Sequence, residues 1–202
     1  MIEILLLLLF VALDQFTKAA SEIYFAAHEP LVLIEGMLGL TYVKNDGAAF
    51  GIFSGQQIIL CIITGISIVL LSVLFITQRK RKPIPMPRLL GIALVLIIAG
   101  AIGNLIDRLC FGYVRDMIQT LFITFPVFNI ADCAVTIGAA LALTSLFLTK
   151  SGKAYFSSFD DNKKKDKSDK KSIIERVKSI LSKKTDDDIR ESIDTDTDNS
   201  SL

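Results

Sequence analysis

The 202-residue chain has no tryptophan, one histidine (His28) and three cysteines (Cys61, Cys110 and Cys133). A single histidine leaves no credible zinc site and no credible Ser/His dyad. The cysteines lack metal-ligand spacing, and their odd number argues against a disulfide framework. No glycine-rich phosphate loop is present, and Gly103-x-x-x-Asp107 does not resemble one. No metal or cofactor is therefore expected. Net charge is close to zero at +1, and no basic stripe is interleaved with aromatics, so nucleic acid is not an expected partner. Charge is also scarce over most of the chain. Residues 1–150 carry 10 basic and 9 acidic side chains, whereas residues 151–202 carry 12 of each. With 51% hydrophobic residues and a mean hydropathy of +0.53, the body is too apolar for an ordinary soluble domain.

What is present is a set of long apolar runs. A bilayer takes about 20 helical residues to cross. Four segments qualify: Ile2 to Phe25, Ile58 to Thr77, Leu89 to about Ile106, and about Val127 to Thr149. The first could be read as a signal peptide, but no Lys or Arg precedes its apolar run and no clean small-residue cleavage site follows, so a retained helix is expected. The expected fold is an all-α membrane protein of four transmembrane helices. Arg79-Lys80-Arg81-Lys82 lies between the second and third spans, and the positive-inside rule puts that loop in the cytoplasm. Both termini are then cytoplasmic, and residues 27–57 and 107–126 lie outside.

The outer segment Leu40 to Phe53 mixes β-branched and aromatic residues with an Asn-Asp-Gly turn signal, which predicts a short sheet-like structure on the membrane surface. Residues 117–128 are apolar for an exposed loop and are expected at the headgroup level, with Pro126 opening the fourth helix. The body thus spans residues 1–150. Residues 151–202 form a cytoplasmic tail, rich in Lys, Asp and Ser, that is expected to be mostly disordered. Within it Ile173, Ile174, Val177, Ile180 and Leu181 make a helical apolar stripe. That stripe reads either as a transient helix or as a segment lying on the inner leaflet.

Depth is the informative property of the polar residues. At 1.5 Å per helical residue, Asp14 lies roughly 18 Å from the inner face and Asn104 roughly 22 Å across. Asp107, Arg108, Asn129 and Asp132 also fall in the outer half, and the inner half of the spans holds only apolar, small or hydroxyl residues. A carboxylate inside a membrane costs about 2.5 kcal/mol or more, so each needs a reason. Asp14 and Lys18 stand i, i+4 on one helix face and can pair. Asp107 and Arg108 read as a structural or substrate-orienting pair. Asn104 and Asn129 either join helices or line a site. Asp132 has no cation within one helical turn, and Asp116 lies on an outer loop that must return to the same helix. Two carboxyls brought together share a proton, and one then acts as general base for water while the other acts as general acid. An ion-pair or proton-relay role is the other reading of these two residues. The corresponding alternative function is a small proton or cation transporter subunit using Asp14, Asp107 and Asp132. The empty inner half counts against it.

Five segments carry a resemblance. They are Asp14-Gln15-Phe16-Thr17-Lys18, Asn45-Asp46-Gly47-Ala48-Ala49-Phe50-Gly51, Gly103-Asn104-Leu105-Ile106-Asp107-Arg108, Gly112-Tyr113-Val114-Arg115-Asp116, and Phe125-Pro126-Val127-Phe128-Asn129-Ile130-Ala131-Asp132. In this order, on four apolar spans, the chain resembles the lipoprotein signal peptidases (signal peptidase II, the prolipoprotein peptidases of bacteria) up to about Thr149. The resemblance implies an intramembrane aspartic endopeptidase of the bacterial inner membrane with Asp116 and Asp132 as its catalytic pair. It implies that Asn45, Asn104, Arg108 and Asn129 bind substrate, that Asp14, Lys18, Gly47 and Asp107 support the site, and that a sheet-like cradle and a surface helix lie on the outer side. The implied substrate is a diacylglyceryl prolipoprotein, cut just before its lipidated cysteine. Membrane lipid is the surrounding partner, and a monomer is the expected state. Met117 stands where an aromatic is usual and Cys133 where serine is common; neither removes a catalytic group.

Overall fold

The computed structural model describes residues 2–47, 55–80, 84–159, 170 and 172–175. The chain divides into two compact units, Met1–Tyr155 and Phe156–Leu202. In the first, the described elements follow the order α1 (Ile2–Phe25), β1 (Leu31–Ile34), β2 (Leu38–Asn45), α2 (Gln57–Arg79), α3 (Arg88–Phe111), β3 (Val114–Thr120) and α4 (Ile130–Leu148). The protein is mostly helical and of membrane type. Among the described residues three helices, α2, α3 and α4, are long and apolar enough to cross a bilayer. Helix α1 is as long, at 24 residues, but carries Glu3, Asp14, Lys18 and Glu22.

Helix α3 is the central element and packs against α1, α2 and α4. Small residues allow the approach. A Cβ on Gly138 of α4 would lie 2.8 Å from the Ala93 carbonyl oxygen of α3, and a Cβ on Gly100 would collide with the Ala131 carbonyl. Close backbone contact through small residues is how helices associate where lipid supplies no hydrophobic drive. Helix α2 instead exposes Ile58, Ile62, Ile66, Val69, Val73 and Ile76, the face expected against acyl chains.

The sheet-like expectation for residues 40–53 is met by β2 as far as Asn45, with residues 48–53 outside the description; β1, upstream of that range, and a third strand complete the sheet. The order is β1-β2-β3, all antiparallel. Strand β3 corrects the reading of residues 107–126 as an outer loop. Helix α3 runs on to Phe111, Gly112 reverses the chain at φ 78°, and β3 pairs with β2 with Val43 opposite Asp116 and Asn45 opposite Val114. Positive φ at that reversal favours glycine. Asp116 therefore sits on a strand. A second correction concerns the fourth helix, which starts at Ile130 rather than at Pro126. Phe128 is held in an antiparallel bridge to Ile118, and Asn129 caps the helix. The described residues between 27 and 56 form strands and turns, with no counterpart of the surface helix among them; residues 48–54, including Ala48 to Gly51 of the second motif, lie outside the description.

Past α4 the chain breaks at Thr149 (ψ 146°) and residues 150–159 are helical, where composition alone suggested disorder from Ser151. Tyr155 is buried with Met86, Leu90 and Leu94, and its hydroxyl lies 3.1 Å from Gln78 Oε1. Of the apolar stripe, Ile173 and Ile174 fall in the helical stretch 172–175, and Val177, Ile180 and Leu181 lie outside the described residues.

Candidate active site

Helix α4 begins on its own polar side chains. The first N–H groups of a helix have no partner within it. Asn129 Oδ1 accepts the Asp132 N–H at 2.9 Å, and Asp132 Oδ2 accepts the Asn129 N–H at 3.1 Å, a reciprocal capping box. Asp14 on α1 completes the end by accepting the Ala131 N–H at 2.9 Å. Asp14 can reach so far because α3 has a glycine there: a Cβ on Gly103 would lie 2.5 Å from Asp14 Oδ2.

Two carboxylates face this helix start. Asp116, only 2% exposed, receives Asn129 Nδ2 at 2.6 Å on one oxygen and Asn45 Nδ2 at 2.8 Å on the other. Asp132 receives Asn104 Nδ2 at 2.8 Å. Asn129 thus contacts both acids, one through its amide and the other through its backbone. Burial pushes the Asp116 carboxyl up to about 6; the charge of Asp132 adds to the rise, and the hydrogen bonds from Asn45 and Asn129 oppose it.

Behind the pair lies a buried ionic cluster. Lys18 and Asp14 form the expected i, i+4 pair at 2.8 Å, at 0% and 1% exposure. Asp107 does not pair with its neighbour Arg108, which corrects that expectation. Adjacent helical residues point in different directions. Asp107 instead accepts from Arg115 Nη2 at 2.8 Å, Arg115 Nε at 3.2 Å and the Arg115 backbone N–H at 2.9 Å, and lies 3.5 Å from Lys18. Arg115 also reaches Gln15 at 3.0 Å and Glu22 at 3.3 Å. Gln15 and Arg115 are structural members of the site that the sequence reading quoted in motifs without a role. A charge count held the signal for Arg115, since Asp14 and Asp107 together need more than Lys18. Arg108 turns the other way and donates to the Gly47 carbonyl at 3.2 Å. Gly47 itself closes a turn, its N–H donating to Asn45 Oδ1 at 3.0 Å.

A cavity of about 630 Å³ opens over these groups. Its polar wall is Asn45, Asn104, Arg108, Asp116 and Asp132, and its apolar wall is the segment Phe125–Phe128 with Val135, Thr136 and Ile137 of α4. Of the residues read as site members, Asn45, Gly47, Asn104, Arg108, Asp116 and Asp132 line the cavity. Asn129, Asp14, Lys18 and Asp107 are buried behind it.

Fold and site together define a helical membrane-type protein in which a three-stranded sheet and an asparagine-held carboxylate pair border a mostly apolar cavity. The comparisons narrow this. The family model for signal peptidase (SPase) II matches residues 6–148, and the chain belongs to that family. The lipoprotein signal peptidase of Latilactobacillus sakei subsp. sakei is 41% identical over 151 residues, 73% of this chain and 95% of the relative. That of Lactococcus lactis subsp. lactis is 46% identical over 117 residues, covering 58% of this chain and 74% of the relative. A bacterial membrane enzyme solved by the in meso method at 2.3 Å superposes with a TM-score of 0.65 at 36% identity, over 71% of this chain and 86% of that one. A second such structure, at 1.9 Å, gives 0.63 at 36% identity, over 72% and 92%. The transporter alternative finds no support in these relatives.

Proposed function

We propose that the chain removes signal peptides from prolipoproteins as an aspartic endopeptidase, with Asp116 and Asp132 as the catalytic pair. The single observation that carries this reading is the meeting of the two carboxylates through Asn129 at the wall of the cavity. One carboxylate takes a proton from the attacking water as its oxygen bonds to the scissile carbonyl carbon. The other, protonated, gives its proton to the carbonyl oxygen. Collapse of the tetrahedral intermediate breaks the C–N bond, and the leaving nitrogen takes up a proton from the pair. Burial pushes the Asp116 carboxyl up to about 6, which suits it to carrying a proton.

The substrate in this reading is a diacylglyceryl-modified precursor cut just before its lipidated cysteine. Asn45 and Arg108, on the polar wall, hold its backbone, and Asn104 and Asn129 hold the acids. The apolar wall suits a lipid-bearing chain that arrives from within the membrane. All four helices span a bacterial cytoplasmic membrane, α1 included, because its buried charges face α3 and α4 rather than lipid. The basic run Arg79–Lys82 and Lys150 support cytoplasmic termini. The active site is then near the outer face, where the acyl chains of an exported precursor sit.

The test is cleavage of a lipidated precursor by purified protein in detergent. Asp116→Asn and Asp132→Asn should each insert normally and lose 10²-fold or more in turnover, about the usual share of one acid or base. Retention of more than about a tenth of wild-type turnover by either variant removes that residue from the pair.

A further inference from the structure

Lys18 is fully buried, and its ammonium has three acceptors: Asp14 Oδ2 at 2.8 Å, Asn104 Oδ1 at 2.9 Å and Asp107 Oδ2 at 3.5 Å. Neutralising charge accounts for the two carboxylates, and Asp107 already has Arg115 at 2.8 Å. The contact with Asn104 is not needed for that purpose. It has a different effect. An amide side chain has a donating end and an accepting end. The accepting end of Asn104 takes Lys18 Nζ and Asn129 Nδ2 (3.1 Å), and the donating end faces Asp132 Oδ1 at 2.8 Å. Turned over, the NH2 group would face an ammonium and another NH2, and the carbonyl would face a carboxylate. Every contact would set like against like.

From this arrangement we infer that Lys18 is a positioning residue for the reaction: by fixing the orientation of the Asn104 amide, it keeps a donor on Asp132 and holds that carboxylate where it can take a proton from the attacking water. The inference rests on the aspartic reading above and adds the assignment of Asp132 as the base. Lys18 acts through one intervening amide and touches neither substrate nor water. Removing it takes the charged donor off Asn104 Oδ1 and leaves the neutral Asn129 Nδ2 there, so the amide is held less firmly and the hydrogen bond that aims Asp132 weakens.

The experiment is a double-mutant cycle on a lipidated precursor, read as kcat and KM under single-turnover and steady-state conditions. The variants are Lys18→Met, Asn104→Ala and their combination, each checked for insertion and thermal unfolding. Lys18→Met should lower kcat by on the order of 10²-fold with KM little changed, as misplacement of a catalytic group does. In the Asn104→Ala background the same change should cost no more than about twofold further, because the residue it acts through is gone. If Lys18→Met does not fold, its uncompensated Asp14 is the cause, and Asp14→Asn/Lys18→Met takes its place in both arms of the cycle. Additive losses, an effect confined to KM, wild-type kcat in a folded lysine variant, or wild-type kcat in Asn104→Ala would each overturn the inference. Turnover retained by Asp116→Asn or Asp132→Asn would instead overturn the aspartic reading, so the two failures are distinguishable.

Discussion

Asn129 Nδ2 lies 2.6 Å from Asp116 Oδ1, while Oδ1 of the same side chain caps α4 by accepting the Asp132 N–H. One amide therefore starts a helix and clamps a strand carboxylate at once. Serine should separate these tasks. It is an equally good N-cap but is too short to reach Asp116. Asn129→Ser should unfold within a few degrees of wild type yet lose on the order of 10²-fold in turnover. Asn129→Ala should also lose about 1 kcal/mol of stability. Thermal unfolding in detergent, beside the cleavage assay, reads both effects. Full activity in the serine variant would show that the clamp on Asp116 is dispensable.

Asp116 should make stability depend on pH in an identifiable window. Its carboxyl is raised from 3.8 to about 6, so the folded state binds that proton more tightly than the unfolded chain does. The resulting stabilisation is fully present below about pH 4 and is lost as pH rises through about 6. The rise corresponds to on the order of 3 kcal/mol. Other carboxylates titrate in the same range, so the measurable quantity is the difference from Asp116→Asn. That variant should gain in melting temperature over wild type between pH 4 and 7. A difference that stays flat across this window would show that burial leaves the Asp116 carboxyl unshifted.

Truncation should separate the tail from the body at Tyr155. Removing residues 156–202 should leave cleavage unchanged. Removing residues 150–202 also takes away Tyr155, which is 4% exposed and packed on Met86, Leu90 and Leu94. Loss of a buried aromatic costs about 3 kcal/mol or more, so the shorter protein should melt several degrees lower. Equal melting temperatures for the two truncations would remove Tyr155 from the stabilising core.

Orientation can be read chemically. In a background with Cys61, Cys110 and Cys133 replaced, Asp46→Cys should react with a membrane-impermeant thiol reagent on intact cells or spheroplasts. Arg81→Cys should react only after lysis. The reverse pattern would invert the topology and leave the carboxylates on the side that exported precursors never reach.

Much of this was legible because membrane spans are written in long local runs. The bounds of α1 follow directly from the apolar stretch Ile2 to Phe25, and the Asp14–Lys18 pair follows from helical spacing alone. Strand β3 was not legible. Its sequence, Val-Arg-Asp-Met-Ile-Gln-Thr, alternates imperfectly, and its partner β2 lies some seventy residues upstream, beyond any local pattern. A reversal of the chain hid the true partner of Asp107, only eight residues away in sequence. On a helix the nearest charge in sequence was Arg108, but Arg115 reaches Asp107 only after the Gly112 reversal. The start of α4 was misjudged because a proline at a helix entrance is a common signal, and here Asn129 supplied a stronger one three residues later.

The reciprocal cap at α4 also sets what a blocking ligand should look like. Asp132 already spends one lone pair per oxygen on Asn104 and on the Asn129 backbone. A compound that brings a hydroxyl or amine to it can use the remaining lone pairs and leave the helix start intact. A compound that brings a carbonyl forces Asp132 to take up a proton and weakens the acceptor that holds the first turn of α4. Donor-bearing mimics of the tetrahedral intermediate should therefore bind more tightly than acceptor-bearing mimics of the same size.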